Sequence, residues 1–425
     1  MAIDRDRAKR LMDDIGELFD SLARPLPTAV RDRLKRMLFG GAFDEIRQII
    51  CESRPPVLMV FGRTGHGKSS LINALAGKEV AAVGRVSPRT EQGFRYEIDF
   101  PGRYATWSVI DTRGIFESTP PEGAEHRSSE EVLIQGIRQY RPDVLFHVIS
   151  AQEVSTLSND TRVFERIQSE IKGKDGIEAP TVIVLTKVDT LGRAGCMPPE
   201  EHPRTADAIV DAIDYVAEAV CHTRNATPID PSARIRGVVI AEGIYEAVIP
   251  TCTFKDAEVN WHWNIETLSD FVGRRLPEDA RLLFAQALGR KTELRRMSSG
   301  LIKRFAGIAG AIGADPIPVA DIIVLTPLQI LMIAVIGGLS CQEVSKKTAR
   351  KYMSAAGLNV ISAVGLRALA QQLVKLIPGV GSVVSAAIAS GGTYAIGKSA
   401  EAWFFSQEKR SPEEFRGEWE TEVEQ

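Results

Sequence analysis

One eight-residue motif constrains this chain more than any other feature of its sequence. Residues 62–69 read GRTGHGKS and match G-x-x-x-x-G-K-[ST], the pattern of a phosphate-binding loop. The apolar run 57–61 precedes the motif and the run 70–75 follows it, so the loop is predicted to lie between a strand and a helix. In such a loop the backbone N–H groups and the amino end of the helix surround a polyphosphate. The sequence therefore predicts an α/β domain that binds a nucleotide.

The chemistry of phosphate binding assigns a role to each residue of the loop. Lys68 is predicted to reach the outer phosphates as a catalytic residue, and Ser69 is predicted to ligate Mg²⁺. His66 lies in the loop, but its ring is expected to point away from the phosphates as a surface or packing residue. The nucleotide-binding residues of the loop and first helical turn are predicted to be Gly62, Arg63, Thr64, Gly65, His66, Gly67, Lys68, Ser69 and Ser70.

Two further motifs follow in the right order along the chain. An apolar strand ends in D-x-x-G, where Asp111 is suited to holding Mg²⁺ through a water and the N–H of Gly114 to contacting the γ-phosphate. A second apolar strand ends in T-K-x-D at Thr186, Lys187 and Asp189. The carboxylate is predicted to accept hydrogen bonds from guanine N1 and N2, for which adenine has no equivalent, and the lysine stem to cover the base. The two motifs predict GTP rather than ATP.

These residues resemble the Era-like class of GTPases (TrmE, Era, EngA, septins and relatives) over roughly residues 55–275. The resemblance implies a mostly parallel sheet with helices on both faces, GTP and GDP as ligands, and Mg²⁺ as cofactor. In that class a threonine closes over Mg²⁺ and the γ-phosphate. Thr90 stands at the corresponding place and is predicted to be a catalytic and metal-binding residue, with Ser87 as the alternative.

The resemblance is incomplete at the positions that promote hydrolysis. The glutamine that follows D-x-x-G in the Ras-type pattern is Ile115 here, and the asparagine that recruits potassium in some Era-like members is Gly65. Slow intrinsic hydrolysis, accelerated by a partner or by self-association, is therefore expected. The arginines in the neighbouring loops are either charge stabilisers in cis or solvated loop residues: Arg85, Arg89 and Arg113.

The fifth motif of the class, S-A-K or similar beside the base, has two candidates. Thr251 and Cys252 follow a strand and precede the start of the last helix, and they are preferred as GTP-binding residues. The stretch 231–234 reads more like the motif but lies further from that helix. The interval 192–250 is longer than a minimal domain needs, which predicts an added helix over 206–220.

Composition limits the remaining possibilities. The chain has 425 residues and a net charge of −3, which gives no general support for nucleic acid as a partner. Its five cysteines are scattered and form no C-x-x-C pair, and the amino terminus shows no signal peptide, so a cytoplasmic protein is expected. Residues 1–53 show amphipathic helical spacing. They are interpreted either as a helical collar packed on the GTPase domain or as a partner-binding helix pair.

The domain predicted after residues 54–276 has a different character. Residues 277–405 are helical and apolar, with two long runs of few charges at 317–339 and 376–397, and residues 406–425 form an acidic tail. Asp321 within the first run argues against a simple lipid-exposed span. The region resembles an uncharacterised helical domain found behind Era-like GTPases. Two interpretations stay open: a buried helical core, or peripheral or integral association with the inner face of an anionic membrane.

The sequence thus predicts a GTP-binding and GTP-hydrolysing switch whose nucleotide state controls a C-terminal helical domain at a membrane or a protein partner. Self-association is an expected route of activation. The alternatives are a ribosome- or RNA-assembly GTPase, a membrane-remodelling GTPase of the dynamin-like or immunity-related kind, and a GTP-binding scaffold that does not hydrolyse.

Overall fold

The computed structural model describes most of the chain, in two compact units. The described residues are 5–24, 26–40, 53–77, 79, 94–100, 105–111, 129–156, 158–193, 195–223, 225–255, 260–289, 291–314, 325–340, 342, 345–355, 386–415 and 418–419. The sheet unit comprises 55–99 and 106–277, and the helical unit comprises 1–54, 100–105 and 278–425.

The helices and strands have the following bounds. The α-helices are α1 (Arg5–Ala23), α2 (Thr28–Phe39), α3 (Lys68–Ala76), α4 (Ser129–Tyr140), α5 (Ser158–Asp175), α6 (Pro203–Tyr215), α7 (Ile265–Arg275), α8 (Glu278–Leu288), α9 (Lys291–Gly313), α10 (Thr326–Leu339), α11 (Lys346–Ala355) and α12 (Ala386–Ser406). The strands are β1 (Val57–Phe61), β2 (Phe94–Phe100), β3 (Ala105–Asp111), β4 (Val144–Ser150), β5 (Thr181–Thr186), β6 (Thr227–Pro228), β7 (Val238–Val239), β8 (Ala247–Pro250), β9 (Cys252–Lys255) and β10 (Asn260–Trp263).

The sheet unit is built on a mostly parallel sheet. Over the described residues it has eight strands in the order β2-β3-β1-β4-β5-β8-β7-β6. Strands β3, β1, β4, β5 and β8 run parallel, and β7 and β6 join antiparallel at one edge. Every residue of β4 and β5 is buried, as expected for central parallel strands covered on both faces. The predicted α/β fold is confirmed.

This topology decides where the predicted motifs meet. The phosphate loop follows β1, Asp111 ends β3, and the T-K-x-D motif begins at the last residue of β5. Because these strands are parallel, their carboxyl ends lie at one edge of the sheet, where open α/β sheets bind ligands. The predicted added helix is also present. Helix α6 ends at Tyr215 and continues as a π-helical turn over Val216–Val220.

The helical unit has a core of unusually small residues at its helix contacts. Helices α9 and α12 pack along each other, and a Cβ built on Gly310 of α9 would lie 3.3 Å from the Cβ of Ser390 on α12. A Cβ on Gly397 of α12 would lie 2.8 Å from Ile302 Cγ2. The absence of a side chain at Gly310 and Gly397 therefore lets the two helices approach closely.

Helix α10 is the described part of the first apolar run, and all fourteen of its residues are buried. Its Gln329 is paired inside the core, donating through Nε2 to Thr393 Oγ1 at 3.2 Å. Among the described residues, no helix has both the length and the apolar character needed to cross a bilayer. Residues 317–324 and 376–385 of the two predicted runs lie outside the described residues.

The N-terminal helices correct one interpretation from the sequence. Ile15 and Phe19 of α1 and Leu34 of α2 are fully buried in the core of the helical unit, together with α9 and α10. The collar interpretation placed the amphipathic face of residues 1–53 on the GTPase domain, whereas α1 and α2 bury these side chains within the helical unit. The amphipathic pattern reported a buried face correctly, but periodicity carries no information about which domain covers that face.

Candidate nucleotide site

The loop after β1 has the backbone that phosphate binding requires. Gly62, Gly65 and Gly67 have φ values of +145°, +83° and +87°. These conformations suit glycine because other residues meet a steric penalty there. A Cβ on Gly62 would lie 2.2 Å from the carbonyl oxygen of Val148, so no larger residue fits at the start of the loop. Gly67 caps α3, and the exposed Thr64 and Gly65 leave the mouth of the loop open.

Lys68 lies across this loop. Its Nζ donates hydrogen bonds to the carbonyl oxygens of Gly62 at 2.9 Å and Arg63 at 3.1 Å. The side chain is buried, with only 8% of its surface exposed. The ammonium is thus held at the loop where outer phosphates would lie. Ser69 and Ser70 follow in the first turn of α3 and are half-buried.

Two of the residues expected to hold Mg²⁺ are described, Ser69 in the first turn of α3 and Asp111 at the end of β3. Asp111 is in register with Val60 of β1, two residues before the phosphate loop begins, and is 5% exposed. Hydroxyl and carboxylate oxygens are the ligands that Mg²⁺ takes beside phosphates, so Ser69 and Asp111 fit this ion. The other predicted contacts, Thr90 and Gly114, lie outside the described residues, as do Ser87, Ile115, Arg85, Arg89 and Arg113.

The T-K-x-D motif is tied to the phosphate loop by hydrogen bonds. Thr186 Oγ1 lies 2.5 Å from the carbonyl oxygen of His66 and 3.1 Å from that of Ile149. The next residue, Lys187, is exposed and has a left-handed backbone at φ +58°. A lysine in that conformation is strained, and such strain is concentrated at functional sites. The side chain of Asp189 is half-buried.

The fifth motif is favoured at Thr251 and Cys252. Cys252 Sγ lies 3.2 Å from Asp189 Oδ1, and burial raises the pKa of this thiol to about 12. The thiol therefore stays protonated and donates to the carboxylate that is predicted to read guanine. Thr251 is fully buried, and its N–H donates to Leu185 O at 2.6 Å. The competing Ser232 bonds instead to Asp230 within its own exposed turn.

The chain departs from a minimal domain after Cys252, because strands β9 and β10 form an antiparallel hairpin before α7. Asn264 anchors the return of this hairpin. Its Nδ2 donates to Pro250 O at 2.7 Å and to Arg236 O at 2.9 Å. No sequence motif predicts this role for the asparagine. Its left-handed φ of +65° is a conformation that asparagine tolerates better than most residues.

Two loop side chains form contacts that the sequence did not predict. The guanidinium of Arg63 binds both oxygens of Asp160, at 2.8 and 2.9 Å. The ring of His66 is buried, with Nδ1 3.1 Å from Val148 O and Nε2 3.1 Å from Glu153 Oε2. The ring is a buried, hydrogen-bonded group and not a surface residue. The only sequence signal for these partners is that both carboxylates follow the buried strand β4.

Parts of the chain are similar in sequence to known GTPases. A family model described as 50S ribosome-binding GTPase matches residues 57–187. The chain is 29% identical to GTPase Der of Persephonella marina over 180 residues, covering 42% of this chain and 35% of that protein. It is 31% identical to tRNA modification GTPase MnmE of Burkholderia lata over 151 residues, covering 34% of this chain and 27% of that protein.

The chain thus spans about a third of the length of the curated relatives it matches. A solved structure of Era in complex with MgGDPNP and nucleotides of 16S ribosomal RNA aligns with a TM-score of 0.31 and 18% identity, covering 60% of this chain and 68% of that chain. Apart from residues 100–105, the residues matched by the family model all belong to the sheet unit.

Proposed function

We propose that this chain, which contains a P-loop GTPase domain of the Era-like class, binds GTP with Mg²⁺ and hydrolyses it to GDP and phosphate as a molecular switch. The reaction consumes one water, whose oxygen bonds to the γ-phosphorus while the bond to the β–γ bridging oxygen breaks. The proposal covers both the activity and the nucleotide.

One observation carries the proposal. The phosphate loop, Asp111 and the T-K-x-D motif follow three parallel strands whose carboxyl ends share one edge of the sheet. Thr186 Oγ1 further joins the T-K-x-D motif to the loop backbone at His66 O. A ligand held there would meet phosphate-binding groups at one end and a carboxylate suited to guanine at the other.

Each residue contributes a separate interaction. The loop N–H groups and Lys68 offset the charge of the β- and γ-phosphates. Ser69 and Asp111 would hold Mg²⁺, which when bound neutralises charge on those phosphates. Asp189, kept oriented by the Cys252 thiol, would accept hydrogen bonds from guanine N1 and N2. Thr90 and Gly114 are proposed to close over the γ-phosphate and to relax after hydrolysis.

Binding can be tested by titrating the purified full-length protein with GDP, a non-hydrolysable GTP analogue and ATP in the presence of Mg²⁺. We expect guanine nucleotides to bind and ATP to bind at least about a hundredfold more weakly, since adenine offers the Asp189 carboxylate no donors equivalent to guanine N1–H and N2–H. Lys68→Ala should abolish binding or turnover. The matched control is Lys172→Ala on α5, an exposed lysine paired with Glu178. Retained affinity and hydrolysis in Lys68→Ala would overturn the site assignment.

We further propose that the nucleotide state controls the helical unit. The complete burial of α10 supports a packed helical domain as the element that is controlled. Association with an anionic membrane remains a prediction from the basic stretches around residues 281–305 and 346–351. Flotation with anionic liposomes, compared between GTP analogue, GDP and no nucleotide, tests it. Flotation that depends on nucleotide would support membrane control, and absence of flotation in every state would contradict it.

A ribosomal role is the second candidate, favoured by the description of the matching family model. It predicts co-sedimentation with ribosomal subunits that depends on the bound nucleotide. The net charge of −3 does not supply the electrostatic attraction to RNA that such binding commonly uses. We therefore rank the ribosomal role second to control of the helical unit.

A further inference from the structure

Two side chains on the outer side of the phosphate loop, those of Arg63 and His66, contact carboxylates. Arg63 binds Asp160 and His66 contacts Glu153, and both carboxylates lie in the stretch that follows β4. Glu153 belongs to a 3-10 helix over Ala151–Thr156, and Asp160 to the first turn of α5. The loop is therefore attached from outside to one short segment of chain by side chains alone.

We propose that Glu153 and Asp160 are positioning residues for the phosphate loop, which hold Arg63 and His66 on its outer side and so fix the loop in the shape that receives a nucleotide's phosphates. The inference rests on the proposed function, because it assigns two new residues to the same site. Neither carboxylate is assigned a contact with phosphate, because each acts through the loop residue that it contacts.

The link from Arg63 to Asp160 has the geometry of a strong contact. Two N–H groups meet two carboxylate oxygens at 2.8 and 2.9 Å, the bidentate arrangement that fixes orientation as well as distance. The side chain of Asp160 is only 5% exposed, so its charge depends on this partner for compensation. The hydrogen bonds that Arg63 donates to the Asp160 carboxylate raise the pKa of Arg63. A neutral or shorter residue at either position would release the loop.

The link through His66 works from the opposite end of the loop. The ring lies between Val148 O and the Glu153 carboxylate, both of which are hydrogen-bond acceptors. Its backbone is fixed as well, because His66 O accepts the hydroxyl of Thr186. A Cβ on Gly65 would meet no atom within 4 Å, so packing at this neighbouring position adds no restraint. The side chain of His66 supplies that restraint.

The consequence for binding is specific to the phosphates. A loop held in shape before binding loses less freedom when the nucleotide arrives, which improves affinity. Asp189 and Cys252 form a separate contact with each other, so the preference for one base over another should not depend on these links. Replacement of Glu153 or Asp160 should therefore lower the affinity for all guanine and related nucleotides by the same factor.

The test measures affinities of the full-length protein for GDP and inosine diphosphate with Mg²⁺. Asp160→Asn and Glu153→Gln are each expected to lower both affinities about tenfold, with the ratio of the two unchanged. Glu170→Gln is the matched control, because it removes a carboxylate of α5 that pairs with the exposed Lys174. The control should bind within about twofold of the unaltered chain.

A double-mutant cycle separates positioning from general damage. If Arg63 and Asp160 act as one link, Arg63→Met combined with Asp160→Asn should lose no more affinity than the worse single variant. Additive losses, a changed ratio of GDP to inosine diphosphate, or unaltered affinity in both carboxylate variants would each overturn the inference. If the unaltered chain bound no nucleotide at all, the proposed function would fail instead.

Discussion

The sheet unit and the helical unit differ in the side chains that fill their interiors. In the sheet unit, charged side chains around the phosphate loop are held by specific partners, as Arg63 is by Asp160. The helical unit instead has glycines at close contacts, so that side chains of neighbouring helices pack directly against the backbone at Gly337 and Gly397. The first arrangement depends on residue identity at each position and the second on residue size. Substitutions should therefore damage the two units by different mechanisms.

The largest expected effect lies in the phosphate loop. Gly62→Ala would place a Cβ 2.2 Å from Val148 O in a backbone at φ +145°. Relieving that overlap must displace the loop, with a cost of about 3 kcal/mol or more in nucleotide binding, or on the order of a hundredfold in affinity. Calorimetric titration with GDP measures it.

Gly65→Ala is the matched control for this substitution. Its φ of +83° is also unfavourable for alanine, but no atom lies within 4 Å of the added Cβ. It should therefore lose much less affinity than Gly62→Ala. Equal losses in the two variants would show that backbone conformation, rather than the contact with Val148, determines the shape of the loop.

The second effect is a dependence of stability on pH that belongs to the sheet unit. All six histidines of the chain lie between residues 66 and 262. His147 is buried beside Phe61 and hydrogen-bonded to Tyr245, and burial lowers its pKa to about 3. Below pH 6.5 His147 binds a proton in the unfolded chain but stays neutral in the folded chain. Stability should thus fall by about 1.4 kcal/mol per pH unit from 6.5 towards 3 through this group.

Denaturant unfolding at pH 6.5 and pH 5 tests that sign. His147→Gln keeps a polar partner for Tyr245 but cannot gain a proton, so its loss of stability over this interval should be about 2 kcal/mol smaller. The opposite sign, with the variant more sensitive to acid, would mean that the folded protein holds His147 charged.

The smallest expected effect concerns packing in the helical unit. A Cβ on Gly337 of α10 would lie 2.3 Å from Thr348 Cγ2 and 3.0 Å from a ring carbon of Phe404. Gly337→Ala should destabilise the protein by about 1–3 kcal/mol, as overpacked cores do, while GDP affinity stays unchanged. Thermal unfolding and nucleotide titration of the same sample check both parts.

The control for Gly337 lies on the exposed face of a neighbouring helix. Gly307→Ala in α9 meets no atom within 4 Å and replaces glycine in a helix interior. It should stabilise the protein by up to about 1 kcal/mol. Destabilisation by Gly307→Ala, or weaker GDP binding in Gly337→Ala, would contradict the account of the helical unit as a close-packed body.

More of the sheet unit than of the helical unit could be predicted from the sequence. The phosphate loop and the T-K-x-D motif were readable because phosphate and guanine chemistry demand certain residues at fixed spacing, and the parallel sheet followed. The contacts of Asp160 and Glu153 could not be predicted, because they join residues 97 and 87 positions apart and leave no local pattern in the sequence.

In the helical unit the sequence revealed only helices, apolar runs and small residues. It could not assign α1 and α2 to that core, since an amphipathic face is compatible with any apolar surface. It also left the first apolar run open between a bilayer and a protein core. The burial of α10 and the pairing of Gln329 with Thr393 support the core.

The central claim is that the carboxylate of Asp189, oriented by Cys252, selects guanine in a P-loop GTPase domain. The most direct test is a comparison of GDP and xanthosine diphosphate binding to Asp189→Asn. An asparagine amide donates where the carboxylate accepts, so it matches the 2-oxo group of xanthine and no longer matches the 2-amino group of guanine. The account predicts that the unaltered chain prefers GDP and that Asp189→Asn prefers xanthosine diphosphate. An unchanged preference for GDP in the variant would contradict it.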